Sequence, residues 1–205
     1  FRRVLFRSGE ENALDLGYKA ALMALKNADM QADDLDIIIA ASSAPPELYP
    51  SMGCRIQEKL GVEHIPAFDI SAACSGLMYA FTMAKAYIAS GMYKNILIVA
   101  TDNNSRLTDW TDRGTSILFG DGAGAVIVTP STDGVDDIIN VNIGSEGSMG
   151  DLITLRTPAK TCPLVEPCVE EKSVIKMNGR EVYKFAVKVV PEKIVEAIEQ
   201  VGLKP

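Results

Sequence analysis

The fold is decided by the stretch Ala67-Phe68-Asp69-Ile70-Ser71-Ala72-Ala73-Cys74-Ser75-Gly76. Its apolar first half predicts a strand through Phe68 and Ile70, and the small residues that follow predict a tight turn. A helix over about 75–90 comes next and ends at Gly91. Cys74 is therefore expected at the mouth of a long helix.

A cysteine in that position has the setting of an activated nucleophile. The unpaired backbone N–H groups and the positive end of the macrodipole at a helix N-terminus favour thiolate over thiol, which lowers the pKa of a cysteine. A thiolate attacks thioesters readily, and the small neighbours of Cys74 let a substrate carbonyl approach the sulfur. A buried structural cysteine is the alternative, because free cysteines are among the most buried residues. The residues alone leave both interpretations open.

Two continuous β-branched and aliphatic runs, at 37–41 and 96–100, are typical of strands covered on both faces. An amphipathic helix from about Glu10 to Ala28 precedes the first run, with Leu14, Ala21, Leu22 and Leu25 on its apolar face. The helix after Cys74 is apolar on nearly every side and is expected to be central and buried. Strand, helix and strand in this order predict an α/β fold with a parallel crossover, and ligands of open α/β sheets bind where such strands end.

Shorter signals complete the expected order of elements. Ser51 is expected to cap a short helix that ends at Gly61, and His64 is expected in a surface loop. The glycines at 120–124 precede an apolar run at 125–128 that predicts a strand, whereas a dinucleotide loop opens a helix, so nicotinamide or flavin binding is rejected. Close backbone packing around a turn is the interpretation of these glycines.

The second half of the chain is less regular. We predict a strand over 136–143, a flexible loop over 144–150 and an exposed excursion over 157–173. Helical periodicity over 182–201 is interrupted by Pro191, which should bend the helix or split it into two.

Composition excludes several classes of function. The 205 residues carry a formal net charge of −7 and show no cluster of Lys and Arg interleaved with aromatic residues, which argues against a nucleic-acid surface. No apolar stretch approaches a membrane span of ~18 residues, and no signal peptide is recognised, so a cytoplasmic location is expected. Four scattered cysteines predict reduced thiols, and a single histidine argues against a zinc site.

Three motifs in this order and spacing resemble the β-ketoacyl-acyl-carrier-protein synthase III family of the thiolase-like superfamily. They are the run 67–76, the segment Thr111-Asp112-Arg113-Gly114-Thr115 and the block Phe119-Gly120-Asp121-Gly122-Ala123-Gly124-Ala125. The resemblance extends from about Leu14 to Pro205 and implies a layered αβαβα architecture. It also implies a decarboxylating condensation in which an acyl-CoA acylates Cys74, and malonyl carried on acyl carrier protein then loses carbon dioxide and attacks.

The resemblance also assigns further residues. Arg113 matches an arginine that stacks near the CoA adenine and meets its phosphates, which suits a planar guanidinium; a solvated arginine is the alternative. Tyr49 falls where the family has an aromatic residue that closes the partner's acyl pocket across a homodimer interface. Ile153, Met177 and Tyr183 fall at positions that shape that pocket or its channel, although each could equally be ordinary core. No cofactor is implied, since acyl-CoA is a substrate.

The chain departs from the family pattern at both ends. Residues 1–9 match no element and are interpreted as an unstructured or vector-derived end, and residues 10–205 as a partial thiolase-like domain with a truncated second half. The family's enolate- and oxyanion-stabilising histidine and asparagine have no counterpart, and neither do its opening strand, tryptophan and arginine. Two hypotheses follow: a synthase III in its full-length form, or a catalytically inactive fragment that only folds or dimerises. A related acyltransferase or polyketide starter enzyme is the third.

Overall fold

Four strands form the main sheet of the computed structural model, which describes residues 9–156 and 173–204. They are β1 (Ile37–Ala41), β2 (Ala67–Ile70), β3 (Ile96–Asn103) and β4 (Asp121–Val128), in the spatial order β2-β1-β3-β4. β1 is parallel to both β2 and β3, and β4 runs antiparallel to β3. The expected α/β class with a parallel crossover is therefore confirmed.

Helices cover both faces of this sheet. α1 (Ala13–Asn27) and α2 (Met52–Leu60) pack on one face against Ile38, Leu97 and Val99. α3 (Gly76–Ala89) packs on the other face against Ile37, Ile39 and Ile98. Successive side chains of a strand point to opposite faces, so each continuous apolar run supplies both layers. All five residues of β1 are buried, as expected for a strand covered on both sides.

The helix ends follow their capping residues. Asn12 accepts hydrogen bonds from the N–H groups of Leu14 and Asp15 at the start of α1. Ser51 caps α2 through the Cys54 N–H, and α2 ends at Gly61 with φ +74°, a left-handed conformation that glycine adopts at little cost. The expected bounds of α2 and α3 are confirmed, and α1 begins three residues later than expected because Asn12 caps it.

Two burial expectations are wrong. Leu22 is exposed, because α1 presents the face of Gly17, Ala21, Ala24 and Leu25 to the sheet. In α3 only Gly76, Ala80 and Ala84 are fully buried, so this helix is not the enclosed centre that its apolar composition predicts. Small residues on one face let α3 approach the sheet, and the described residues leave the large side chains on its other face partly exposed.

The glycine block adopts a conformation different from the expected turn. β4 begins at Asp121, so Gly122 and Gly124 lie inside the strand, opposite Asp102 and Ala100 of β3. A Cβ atom at Gly122 or Gly124 would have no neighbour within 4 Å among the described residues. The expected strand at 125–128 is confirmed, whereas the expected close backbone packing at these two glycines is absent from the described part of the chain.

The predicted strand over 136–143 is wrong. This segment has no regular structure and is fastened to α3 by Lys85, whose ammonium group pairs with Asp136 and donates to the backbone carbonyls of Ile138 and Ile139. The hydrogen bond from Lys85 holds the pKa of Asp136 below its ordinary value. These carbonyls bond a side chain instead of a neighbouring strand.

A second unit follows the main sheet. β5 (Ile153–Leu155) and β6 (Ile175–Met177) form an antiparallel pair that the sequence did not reveal, and α4 (Gly179–Gln200) follows. Pro191 lies inside α4, which remains one helix. Of the two expected effects of Pro191, the split into two helices is therefore wrong, and a bend stays a prediction. The loop expected at 144–150 is partly ordered as a 3₁₀ turn over Gly147–Leu152. No helix within 9–156 or 173–204 is both long enough and apolar enough to cross a membrane.

Two expectations lie outside the described residues. The terminal stretch expected at 1–9 is described only from residue 9 onward. The excursion expected over 157–173, with Cys162 and Cys168, is described only at residue 173.

Gly53 gives a test of how α2 is seated on the sheet. A Cβ atom at Gly53 would lie 2.9 Å from the backbone nitrogen and oxygen of Phe68 in β2. Alanine is the better helix former by about 1 kcal/mol, but the clash with backbone atoms should outweigh that gain. We expect Gly53→Ala to lower the free energy of unfolding by about 1–3 kcal/mol in urea denaturation.

Gly144→Ala is the matched control, because a Cβ atom at Gly144 meets nothing within 4 Å in the described residues. Its free energy of unfolding should stay close to that of the parent chain. A Gly53→Ala variant as stable as that control would contradict the described packing of α2 on β2.

Candidate active site

Cys74 lies in a sharp connection between strand and helix. β2 ends at Ile70, a single 3₁₀ turn spans Ala73–Ser75, and α3 begins at Gly76. The Cys74 side chain is exposed, so the buried structural alternative does not fit. The Ser75 side chain makes no capping hydrogen bond to α3, and the N–H groups of Ser75 and Gly76 donate to the carbonyls of Ala72 and Ala73 in the preceding turn. The thiolate form of Cys74 stays a prediction.

The backbone before the thiol is strained. Ala73 has φ +45°, in the left-handed region that residues with a Cβ atom seldom adopt. Strain of this kind costs about 1–3 kcal/mol and clusters at functional sites, where surrounding packing enforces it. The turn therefore holds Cys74 outward at an energetic cost that the packing of its flanking elements must offset.

That packing centres on Gly76. A Cβ atom at Gly76 would lie 2.8 Å from the Cβ atom of Ala41, at the end of β1. Glycine and alanine together let the first residue of α3 rest directly on the central strand. Cys74 consequently lies where the parallel strands β1, β2 and β3 end, as predicted from the order of the elements.

An open cavity of about 220 Å³ adjoins the thiol. Its walls come from the ends of β1, β3 and β4 and from the start of α3. The lining residues other than Cys74 are Ala41, Ala73, Leu77, Ala100, Thr101, Asp102, Gly122, Ala123 and Gly124. Most of them are small, so backbone forms much of the surface that a ligand would meet.

Asp102 fastens β3 to the loop that follows β1. Its Oδ1 atom accepts hydrogen bonds from the Ser43 backbone N–H at 2.7 Å, the Ser43 hydroxyl at 2.8 Å and the Ser42 hydroxyl at 3.3 Å. One carboxylate oxygen thereby fixes two residues of a neighbouring strand end. Asp102 thus shapes the wall of the cavity.

Asp69 fastens β2 to the first turn of α2. Its two carboxylate oxygens accept hydrogen bonds from the backbone N–H groups of Met52 and Gly53, each at 2.7 Å. A carboxylate at a helix N-terminus satisfies orphan donors and complements the helix dipole. The strand that leads to Cys74 is therefore locked to the first turn of α2.

Arg113 lies on an exposed turn that Asp112 organises. The Asp112 carboxylate accepts hydrogen bonds from the Gly114 N–H and the Thr115 hydroxyl, both at 2.8 Å, and Thr115 is buried. The turn is thus pinned on one side while the Arg113 guanidinium is open to a ligand. Arg113 does not line the cavity at Cys74.

The remaining predicted site residues lie in two other places. Tyr49 is 86% exposed in the loop between β1 and α2. Ile153 and Met177 are paired across β5 and β6, and Tyr183 is exposed in the first turns of α4. None of these four side chains lines the cavity at Cys74 in the described residues. Their roles in an acyl pocket stay predictions.

His64 is a surface residue, as expected: its side chain is 93% exposed and lies beside Glu63. Within the described ranges, no group of three or more His, Cys, Asp or Glu side chains is arranged to hold a metal ion.

Comparison with known proteins identifies the family. The family model for 3-oxoacyl-[acyl-carrier-protein (ACP)] synthase III matches residues 68–147, the segment that contains the Cys74 turn, the Arg113 turn and β4. A curated β-ketoacyl-[acyl-carrier-protein] synthase III from Clostridium perfringens (strain SM101) is 42% identical over 195 residues, which cover 95% of this chain and 60% of that relative. The chain belongs to the β-ketoacyl-acyl-carrier-protein synthase III family.

Solved structures of synthase III and of a related priming enzyme have the same fold as this chain. The crystal structure of 3-oxoacyl-[acyl-carrier-protein] synthase III from Aquifex aeolicus VF5 matches with a TM-score of 0.86 and 39% identity, covering 97% of this chain and 60% of that one. The priming β-ketosynthase from the R1128 polyketide biosynthetic pathway matches with a TM-score of 0.82 and 28% identity, over 97% of this chain and 58% of the other. The thiolase-like α/β fold expected from the motifs is confirmed.

The chain spans about 60% of the length of the synthase III relatives it matches. Within the described part of this synthase III chain, sequence reasoning missed two residues that build the site. Asp69 and Asp102 are each an acidic residue within a strand of mostly apolar residues, and this is the signal by which the sequence could have identified them. A carboxylate in such a position needs donors, and here they are backbone and hydroxyl groups of neighbouring strand and helix ends.

Gly76→Ala tests how closely α3 must approach β1. The added methyl group would overlap that of Ala41, so we expect α3 and Cys74 to shift and the free energy of unfolding to fall by about 1–3 kcal/mol. The alkylation rate of Cys74 by iodoacetamide, measured by peptide mass spectrometry, should change in parallel.

The double variant Ala41→Gly/Gly76→Ala moves the methyl group from one element to the other and is the matched control. We expect the double variant to restore the alkylation rate of Cys74 more fully than the free energy of unfolding, because glycine weakens a strand. If Gly76→Ala alone matches the parent chain in both measurements, α3 is not held by this contact.

Proposed function

We propose that the whole protein is a β-ketoacyl-[acyl-carrier-protein] synthase III, with Cys74 as its acylated nucleophile. In the proposed reaction an acyl-CoA primer of the acetyl-CoA type condenses with malonyl-acyl carrier protein to give 3-oxoacyl-acyl carrier protein, CoA and carbon dioxide. This reaction would initiate fatty acid synthesis. The observation that carries the proposal is the exposed Cys74 thiol, set in the 3₁₀ turn directly before α3 and beside a cavity of small residues.

The first step is acyl transfer to Cys74. The thiolate attacks the thioester carbonyl, the carbon–sulfur bond to CoA breaks, and the CoA thiolate leaves and takes up a proton. The start of α3 favours negative charge both on the attacking sulfur and on the developing oxyanion. Small lining residues such as Ala73 and Gly124 give a thioester room to reach the sulfur.

Arg113 is proposed to bind the nucleotide end of acyl-CoA. Its guanidinium is permanently charged and planar, so it can both pair with phosphate and stack on a base. The Asp112 carboxylate holds the turn through Gly114 and Thr115, and Arg113 itself is left exposed. Its separation from the cavity suits a long ligand, whose reactive thioester and nucleotide are far apart.

The second step forms the carbon–carbon bond. Malonyl-acyl carrier protein loses carbon dioxide, the resulting enolate carbon attacks the acyl thioester, and the Cys74 sulfur leaves. Groups that stabilise the enolate and the oxyanion are needed for this step. The only histidine of these 205 residues is His64, which is highly exposed and lies beside Glu63. We therefore propose acylation for this chain and the complete condensation for the whole protein.

The other predicted residues are proposed to select the acyl primer. Tyr49 is proposed to close the acyl pocket of a partner subunit in a homodimer, which its high exposure allows. Ile153, Met177 and Tyr183 are proposed to shape that pocket or its channel. The chemistry is complete with a thiol and two thioesters, so we propose no metal or organic cofactor, and we propose a cytoplasmic setting in which the thiol stays reduced.

A starter enzyme of polyketide synthesis is the second candidate. The similarity to the R1128 priming β-ketosynthase, at 28% identity, favours it specifically. The two candidates share acylation of Cys74 and differ in the acyl group that they accept. The alternative that is not an enzyme is a catalytically inactive fragment that only folds or dimerises.

Acylation is tested by mass spectrometry. We expect acetyl-CoA to add one acetyl group to the chain, mapped to Cys74, and Cys74→Ser to abolish it because a serine hydroxyl lacks an activating base here. Cys54→Ser is the control, since Cys54 lies half-buried in α2 and donates to the Ala67 carbonyl. An adduct that persists after Cys74→Ser, or no adduct at all, would refute the proposal.

Arg113 is tested by comparing two thioesters. We expect Arg113→Ala to lower the second-order acylation rate with acetyl-CoA by about tenfold, the order expected for loss of a charge-assisted hydrogen bond. The rate with S-acetyl-pantetheine, which lacks the nucleotide, should stay unchanged. Arg106→Ala, at an exposed arginine nearby in the chain, should leave both rates unchanged. Equal losses with both thioesters would instead mean that Arg113 supports the fold.

A further inference from the structure

A second cavity lies beside α1 and α2, which cover the side of the sheet opposite to α3. Its volume is about 390 Å³, within the range of about 300–1,000 Å³ that is typical of ligand pockets. The lining residues are Tyr18, Leu22, Leu25, Lys26, Asp29, Met30, Gln31, Ala32 and Leu60. None of these described residues lines the cavity at Cys74, so the proposed synthase reaction does not account for them.

Much of the cavity surface is apolar. Leu25 is buried in the core beneath α1, and Met30 packs against the same core. The exposed Leu22 also lines the cavity. The ring of Tyr18 adds an aromatic surface, and the Lys59 ammonium group lies 5.5 Å from the centroid of that ring, a cation–π contact that restrains it. A large apolar group of a ligand would therefore contact both aliphatic and aromatic side chains.

Two residues of opposite charge, Lys26 and Asp29, line the same cavity. Both are exposed, and neither side chain is in an ion pair or a hydrogen bond in the part of the chain that the structure describes. Asp15 of the same helix, by contrast, pairs with Lys59. The described residues thus leave one cation and one anion available to a ligand beside the apolar surface.

Asp29 holds its place at a conformational cost. It follows the last turn of α1 with φ +53°, a left-handed conformation that favours glycine at helix ends. The end of α4 has the same turn with Gly202 at φ +75°, and in both turns the N–H group of the next residue donates to a carbonyl five residues earlier. An aspartate therefore stands where α4 has the less strained residue, and it brings a carboxylate to the cavity.

We propose that this cavity binds a free amino acid with a large apolar side chain, such as phenylalanine or leucine. The apolar side chain packs on Tyr18, Leu22 and Met30. Lys26 binds the carboxylate, and Asp29 binds the ammonium group, through charge-assisted hydrogen bonds. The C-terminal end of α1 also favours a cation. This inference is independent of the proposed function, because the two cavities share no lining residue.

A ligand with a single charge would complement the cavity less well. A fatty acid would pair with Lys26 but would bring its own carboxylate close to Asp29, and an alkylamine would meet the reverse problem. Residues three positions apart at a helix end are neighbours. Their spacing suits an amino acid, whose two charged groups are attached to one carbon atom.

NMR of isotope-labelled methionine methyl groups tests binding directly. Met30 lines the cavity, whereas Met23 is exposed on α1 and does not line it. We expect L-phenylalanine to shift the Met30 signal saturably and to leave the Met23 signal unchanged. The expected Kd is about 1–3 mM, the affinity of a ligand of about twelve non-hydrogen atoms at ordinary efficiency. A Met30 signal that responds no more than the Met23 signal overturns the inference.

Two analogues of phenylalanine separate the contributions of its charges. Hydrocinnamate lacks the ammonium group, and phenethylamine lacks the carboxylate. We expect each analogue to bind about tenfold more weakly than L-phenylalanine, the order expected for loss of one charge-assisted hydrogen bond. Equal affinities for the three compounds would show a merely apolar surface and would overturn the inference.

Neutral variants of the two charged residues should give a crossed pattern. Lys26→Gln should weaken L-phenylalanine binding by about tenfold and leave the affinity for phenethylamine unchanged. Asp29→Asn, in which asparagine also tolerates the left-handed conformation, should weaken L-phenylalanine binding to a similar extent and leave the affinity for hydrocinnamate unchanged. Weaker binding of all three compounds in both variants would contradict the assigned roles.

Two further variants control for net charge. Lys94→Gln and Asp33→Asn remove one charge each at exposed residues that do not line the cavity. Both should bind L-phenylalanine as the parent chain does. If they weaken binding as much as Lys26→Gln and Asp29→Asn do, the net charge of the chain governs binding and the inference fails.

Discussion

The contact between Gly76 and Ala41 is the constraint on which the rest of the site depends. It brings the first residue of α3 against the central strand with no room for a further methyl group. Since β1 is paired in parallel with both β2 and β3, fixing α3 on β1 fixes it relative to three strand ends at once. The left-handed backbone of Ala73 lies in the turn between β2 and α3, directly before Cys74.

Two carboxylates extend this constraint to the neighbouring elements. Asp69 binds β2 to the N-terminus of α2, and Asp102 binds β3 to the loop after β1. In each case charge-assisted hydrogen bonds, which are stronger than neutral ones, join parts of the chain that hydrophobic packing alone would leave free to slide. Hydrophobic burial, which has no preferred direction, assembles the layers. The directional hydrogen bonds of the two carboxylates fix how the strand ends are arranged around the cavity.

The sequence predicted the elements whose signals are local and redundant. The apolar run at 37–41 predicts a buried strand, and Ser51 predicts a helix cap. The small residues before Cys74 likewise predict the turn there. The pairing of β5 with β6 could not be predicted, because three-residue strands carry almost no periodicity. The predicted strand over 136–143 was wrong for a similar reason. Lys85 pairs with Asp136 and donates to backbone carbonyls that a strand would have used. A contact with a residue so distant in the chain leaves no local sequence pattern. A proline inside a helical pattern allows either a bend or a break, and the local sequence did not decide between them, whereas the structure keeps α4 as one helix.

The glycines of β4 have a consequence for how the site could change over evolutionary time. Gly122 and Gly124 line the cavity, yet a methyl group at either would touch nothing within 4 Å in the described residues. Most positions around a binding site are coupled to the fold, so altering them trades affinity against stability. Here the floor of the cavity is uncoupled from the packing of this part of the chain. Among the described residues, a methyl group added at Gly122 or Gly124 would narrow the cavity without meeting a packing partner.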